Sequence, residues 1–136
     1  MNGESSTERI TRHVLVLEDH EDTRILLGIL LRNLGFTVDA TARVAEGLAA
    51  FQRRRPDLIL CDLSMPDEDG FDFIARIRAL PDETAGTVPA IALSAFSGPK
   101  VVDRALRAGF NRHLAKPVSL DTLISAVTQL LRQGCE

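Results

Sequence analysis

The sequence predicts an α/β domain in which five parallel strands alternate with helices and the helices cover both faces of one sheet. Three observations carry the prediction. Short apolar runs of strand length recur along the chain: residues 13–17, 37–40, 58–61, 90–93 and 113–115. Between them, apolar residues return at helical spacing. Each run gives way to a polar group: Glu18-Asp19, Thr41, Asp62, Ser94 and Lys116 respectively. In an open parallel sheet the strand ends line one crevice where ligands bind, so these groups should meet.

The elements follow in order. Residues 1–11 read as a polar lead-in, 12–132 as the domain and 133–136 as a tail. After the first strand, 21–34 reads as a helix with Asp22 near its start and Gly35 as its stop. Leu26, Leu27, Leu30, Leu31 and Leu34 fit its core-facing arc, which leaves Ile25 and Ile29 pointing outward. A second strand covers about 37–41. Residues 44–54 form a second helix, with Ala45, Leu48, Ala49 and Phe51 available for its buried side, and Pro56 separates it from strand three. The stretch from Asp62 to Gly70 is a polar loop punctuated by Pro66 and Gly70. Residues 71–80 are helical, with Phe71, Ile74 and Ile77 three apart, and 81–89 is a loop. Strand four spans 89–93. Pro99 suits the first turn of a helix reaching Ala108, capped by Gly109. Strand five covers about 112–115, and Ser119 or Asp121 caps a last helix through Leu131.

A chain of 136 residues forms one domain with a real core. Its net charge of −3 gives no basic stripe for nucleic acid. The cluster Arg53-Arg54-Arg55 precedes Pro56 at a helix end, where cations offset the helix dipole. No apolar stretch spans a bilayer and no signal-peptide pattern opens the chain, so the expected location is the cytoplasm. Cys61 and Cys135 have no metal-ligand spacing and suit no mutual disulfide. Cys61 reads as a small core residue.

Taken singly, Glu18, Asp19 and Asp62 suit solvated loop residues or caps. Their shared placement at strand ends makes them a site. Two unit charges ~4 Å apart repel by about 4 kcal/mol at an effective dielectric of ~20. Three such acids therefore call for a cation or raised pKa values. Oxygen donors without accompanying histidine or cysteine suit Mg²⁺, with Mn²⁺ as a substitute, rather than zinc. Asp62, alone at a buried strand end, is the candidate nucleophile, since a carboxylate can attack phosphorus to form an acyl phosphate. Lys116 supplies positive charge, or else is a surface lysine near a strand end. Pro117 suits a cis peptide that aims it inward. Ser94 offers a hydroxyl to a phosphoryl oxygen, or else is a turn residue.

These residues resemble a known family. Val-Leu-Val-Leu-Glu18-Asp19, Asp62-Leu-Ser-Met-Pro66 with Gly70, Ala-Leu-Ser94-Ala95 and Lys116-Pro117 occur in order at successive βα positions. Together they are similar to the receiver domains of bacterial two-component response regulators, over roughly residues 12–131. The resemblance implies a flavodoxin-like (βα)5 fold with strand order 2-1-3-4-5. It implies that Asp62 accepts phosphate from a phosphohistidine of a sensor kinase or histidine phosphotransfer domain. Asp19, Asp62 and the Ser64 carbonyl would ligate Mg²⁺, and Glu18 would act through a metal-bound water. Ser94 would swing toward the phosphoryl group and Lys116 would pair with it. Such a protein catalyses its own phosphorylation and turns over no external product.

There is one departure from the family pattern at the aromatic switch position of strand five, which is His113 here. An imidazole is smaller than a phenol ring and ionises near neutral pH, so it either signals differently or does not switch. Ile25 and Ile29 form an aliphatic pair beside the acidic site that suits docking of a helical kinase or phosphotransfer partner. The chain reads either as a free-standing regulator or as the receiver of a hybrid kinase. It would act on a downstream protein target, as a monomer or a weak phosphorylation-dependent dimer. Competing readings are weaker. An aspartyl-phosphate phosphatase would usually carry a second acid at the Ser64 position. A flavin-type binder would need Ser, Thr and Gly amides where Glu18 to Asp22 stand. A phosphate-independent scaffold would leave the acid, hydroxyl and lysine set unexplained.

Overall fold

An apolar run of five residues is too short for a stable helix, and its backbone polar groups must still be paired once buried. Side-by-side strand pairing does this. The computed structural model describes residues 12–65, 69–95 and 98–134. The lead-in 1–11, Pro66 and Cys135 lie outside the described residues. The elements are β1 (His13–Leu17), α1 (Glu21–Asn33), β2 (Thr37–Thr41), α2 (Val44–Arg53), β3 (Leu58–Asp62), α3 (Gly70–Arg78), a short α4 (Glu83–Gly86), β4 (Ala90–Ser94), α5 (Pro99–Ala108), β5 (Arg112–Ala115) and α6 (Leu120–Gly134). The sheet is parallel throughout, in the order β2-β1-β3-β4-β5. The expected doubly wound fold is the observed one.

The central strands β1, β3 and β4 are buried at every position, which is why their sequences are apolar without alternation. The edge strands β2 and β5 are partly exposed and correspondingly more polar. Successive residues of a strand feed opposite faces. Leu15, Leu17, Ile59 and Cys61 join Phe51, Phe73, Ile74 and Ile77 in one core. Val14, Val16, Leu58, Leu60, Ile91 and Leu93 join Leu27, Leu31, Leu123 and Val127 in the other. At the far end of β1 from its acidic turn, buried His13 is satisfied by Thr37 Oγ1 at 2.7 Å and Asp39 Oδ2 at 3.0 Å.

Several local expectations change. On α1 the buried stripe is Leu27 and Leu31, whereas Leu26 and Leu34 are 54% and 40% exposed. This helix lies against β1 and the edge strand β2, so the sheet covers a narrower arc of it than five leucines require. Ile25 and Ile29 do face outward. On α2 the buried face is Val44, Gly47, Ala50 and Phe51, and Ala45 and Ala49 turn to solvent. His20 caps α1 by accepting from the Thr23 amide, and Asp22 stands in the first turn as expected. Ser119 caps α6, its Oγ accepting from the Thr122 amide at 3.2 Å. The 81–89 stretch holds the short helix α4, because Asp82 accepts from the Thr84 and Ala85 amides and buries Ala85. Arg55 steadies that cap at 2.8 Å, so the basic cluster is partly absorbed by an ion pair.

One half-buried cation fastens the α3 end of the molecule. Arg78 donates to Gly109 O through Nε at 3.0 Å and Nη2 at 2.8 Å. Its Nη1 donates to Gly86 O and Val88 O, and its Nη2 to Asn111 Oδ1. Asn111 Oδ1 in turn accepts from the Ala90 amide at 2.8 Å. One side chain thus ties α3 to α4, to the start of β4 and to the α5–β5 turn, where Gly109 adopts φ +126°. Burial lowers the Arg78 pKa, yet a guanidinium stays protonated. Arg78→Met should leave three backbone carbonyls without this donor and cost on the order of 3 kcal/mol in urea unfolding. Arg78→Lys should recover little of it, because an ammonium cannot span the same acceptors; near-complete recovery would reduce the role to charge alone.

Candidate functional site

Strand pairing carries each polar group to the same end of the sheet. The Glu18 amide donates to Thr41 O at 2.9 Å, extending the β1–β2 ladder by one step. Glu18 is fully buried and Asp19, next along the turn, is exposed. Asp62 is the last residue of β3 and is buried. The Leu63 amide donates to Leu93 O and the Lys116 amide to Ser94 O, so β4 and β5 are held level with it. The loop after Asp62 returns tightly: the Gly70 amide donates to Leu63 O, and a Cβ on Gly70 would lie 2.5 Å from Asp62 O. Only glycine fits there.

The side chains converge. Lys116 Nζ lies 3.0 Å from Asp62 Oδ2 and 2.8 Å from Glu18 Oε1, the second as an ion pair without directed hydrogen-bond geometry. Asp62 Oδ1 accepts from the Ser64 amide at 3.1 Å, and Glu18 Oε2 from the His20 amide at 3.1 Å. One carboxylate oxygen from each of Glu18, Asp19 and Asp62 falls within 4.8 Å of the others. The Lys116–Pro117 peptide is cis. Buried Ser94 stands at the end of β4, level with Ala115. It lines a cleft of about 400 Å³ with Ser64, Met65, Phe71 and Arg104.

Not every candidate joins this cluster. His113 sits lower on β5, level with Ala92, with Nε2 shielded and without a hydrogen-bond partner among the described residues. Ile25 and Ile29 lie on the outer face of α1, 52% and 49% exposed. Sequence reasoning missed Arg24, whose Nη1 reaches the carbonyls of the acidic turn. It also missed Arg104, stacked 3.9 Å over the Phe71 ring beside Ser94. The first was legible in principle, as a cation four residues past the cap and therefore one helical turn along.

The electrostatics follow from burial. Desolvation raises the Asp62 pKa from 3.8 to about 6, against the Ser64 amide, which lowers it; Glu18 raises it and Lys116 lowers it. Burial alone would lower Lys116, but its partners Glu18 and Asp62 outweigh that and raise it. Burial, then the charge of Asp62, pushes the Cys61 thiol well up, so it stays protonated and inert. Three carboxylates facing one ammonium leave negative charge unbalanced. The donors are all oxygen, with no histidine or cysteine in the cluster among the described residues. That set fits a hard divalent cation such as Mg²⁺.

The Asp62 shift has a stability consequence in metal-free protein. The folded chain holds the Asp62 proton up to about pH 6 while the unfolded chain releases it near 3.8. The native state therefore binds more protons in that window, and stability falls as pH rises through it. With a chelator present, Asp62→Asn should be the more stable protein at pH 8, by up to about 3 kcal/mol, with the difference vanishing toward pH 4. Thermal or urea unfolding at the two pH values checks this. A less stable mutant at pH 8 would mean that the Lys116 pairing outweighs burial.

Comparison with known proteins agrees with the geometry. The family model described as the response regulator receiver domain matches residues 14–128. A 14.6 kDa protein of Leptolyngbya boryana, itself uncharacterised, is 41% identical over 116 residues, covering 85% of this chain and 87% of its own. The KDP operon transcriptional regulatory protein KdpE of Escherichia coli is 35% identical, covering 89% of this chain and 52% of its own length. The sensor histidine kinase AtsR of Burkholderia thailandensis is 33% identical, covering 87% of this chain and 19% of its own length. The chain thus spans most of the Leptolyngbya protein but only part of the larger regulators and kinases. Among solved structures, a response regulator from Chloroflexus aurantiacus superposes with a TM-score of 0.84 at 28% identity, covering 90% of this chain and 99% of its own. A chemotaxis response regulator of Vibrio cholerae superposes at 0.82 and 26% identity, covering 89% and 99%. A family model over most of the chain, relatives more than 30% identical and a matching fold lead to one conclusion: the chain belongs to the response regulator receiver domain family.

Proposed function

We propose that this receiver accepts a phosphoryl group on Asp62 from a phosphohistidine of a sensor kinase or histidine phosphotransfer protein, and then alters its binding to a downstream protein. The observation that carries the reading is the buried Asp62 carboxylate at the end of β3, 3.0 Å from Lys116 Nζ and beside two further acids. An Asp62 oxygen forms a bond to phosphorus as the phosphorus–nitrogen bond to the donor imidazole breaks in line. The Ser64 amide and Lys116 hold the carboxylate in place for that attack. Lys116 then pairs with a phosphoryl oxygen, and the Ser94 hydroxyl donates to another. Asp19, Asp62 and the Ser64 carbonyl would hold a Mg²⁺ ion, or Mn²⁺ in its place, with Glu18 acting through water, and the bound ion would supply positive charge to the phosphoryl oxygens. Ser94 and His113 form the switch, on adjacent strands two residues apart in register.

The donor docks on α1. Ile25, Leu26 and Ile29 are exposed together, and Leu26 also lines an apolar groove of about 290 Å³ that reaches Lys116 and Pro117. A partner helix seated there brings its histidine to the acidic crevice. The protein turns over no external product, works in the cytoplasm without contacting nucleic acid, and is a monomer or a weak phosphorylation-dependent dimer. Among the described residues no helix is long and apolar enough to cross a membrane.

Incubation with acetyl phosphate or phosphoramidate should give a Mg²⁺-dependent phosphoryl adduct by intact-mass spectrometry, absent in Asp62→Asn. No adduct in wild type under verified conditions would turn the reading toward a phosphate-independent scaffold. Ile29→Glu should slow transfer from a phosphorylated kinase or phosphotransfer partner by roughly tenfold while sparing the small donors, since a charge in a docking core costs about 1.4 kcal/mol or more. Equal slowing with both donor types would sink the docking assignment.

A further inference from the structure

The turn that carries Glu18 and Asp19 is held from outside the acidic cluster. Arg24 stands one helical turn past the His20 cap, and its guanidinium folds back over the turn. A single nitrogen, Nη1, donates to Glu18 O at 3.0 Å and to Asp19 O at 3.3 Å. The peptide joining Asp19 to His20 is trans, so its carbonyl and its amide point in opposite directions. The carbonyl of that peptide is drawn to Arg24. Its amide therefore faces the other way, and there it donates to Glu18 Oε2 at 3.1 Å. The other Glu18 oxygen faces Lys116. The orientation of a fully buried carboxylate thus depends on one peptide plane, and Arg24 grips that plane from the far side.

We propose that Arg24 is a positioning residue of this site: by holding the Glu18 and Asp19 carbonyls it sets the Asp19–His20 peptide, orients the Glu18 carboxylate and preforms the acidic pair for a divalent cation. The inference rests on the reading that the cluster binds such a cation. Its sign separates it from simple electrostatics. A guanidinium near an anionic site repels a metal ion, so on charge alone its removal would tighten binding. Positioning requires the opposite.

The test is a Mn²⁺ titration of the full chain, read by the free-ion signal in electron paramagnetic resonance, with amide hydrogen exchange measured by NMR on the metal-free protein. Arg24→Met should weaken Mn²⁺ binding on the order of tenfold, as loss of a group that orients metal ligands typically does. It should also speed exchange at the His20 amide while the amides of β3 stay protected, which shows that the fold is intact. Arg24→Lys keeps the charge and one donor and should restore part of both effects. Wild-type or tighter Mn²⁺ binding in Arg24→Met, or an unchanged His20 amide, would overturn the proposal. Wild type that binds no Mn²⁺ would overturn the cation reading itself, and the His20 exchange would still decide whether Arg24 holds the peptide.

Discussion

The ammonium of Lys116 is the interaction on which the site depends. It comes from the end of β5, yet its partners come from the ends of β1 and β3, with β4 between. Two carboxylate groups are buried side by side here, and Lys116 is the cation placed between them. The bridge therefore does more than neutralise. It is the contact through which three strands, separated by nearly a hundred residues of chain, agree on where their ends lie. Surface ion pairs contribute little, but this one is shielded, and removing the lysine would leave both carboxylates without their cation. The same arrangement keeps Asp62 poised: burial raises its pKa and the lysine draws it back, so small changes in local charge alter its protonation.

Such a cluster persists only on a rigid frame. The three central strands are buried on both faces, and the two cores meet through the sheet. Close contacts then remove slack around the site. Gly70 admits no side chain against the backbone of Asp62 and Leu63, which seats the start of α3 directly on the end of β3. At the other end of the α3 layer, Arg78 fastens four segments through carbonyls rather than through an acid. Its charge is spread over polar backbone groups, which lets a cation be half-buried on carbonyls in place of an acid. Both devices hold the loops while leaving the crevice open, and the open cleft beside Ser94 is where Arg104 and Phe71 stack.

The helix faces and the short helix that depart from the sequence pattern do so where periodicity alone is weak. Four leucines and two isoleucines on α1, with Leu34 at its C-cap, give an apolar helix whose orientation is underdetermined by periodicity. The edge position of β2 decides it, by covering only Leu27, Leu31 and their neighbours. Likewise Ala45 and Ala49 carry almost no preference between core and solvent, so the bulkier Val44 and Phe51 set the face of α2. The helix α4 escaped notice because one turn offers no periodicity; its cap, Asp82, was the only local signal.

What the sequence determined by itself was the order of the elements, the class of fold and the residues at the strand ends. Those follow from local facts: continuous apolar runs make buried parallel strands, glycine and proline punctuate them, and polar residues at each run's end must lie at a sheet margin. What only the tertiary structure decided was which of those polar groups touch and what steadies them. The ammonium between Glu18 and Asp62, the Ser64 amide on Asp62, and Arg24 and Arg78 gripping backbone carbonyls all depend on chain segments far apart or on peptide planes with no residue identity. A carbonyl acceptor is the same in every residue, so no pattern of side chains announces it; only folding brings a donor to it.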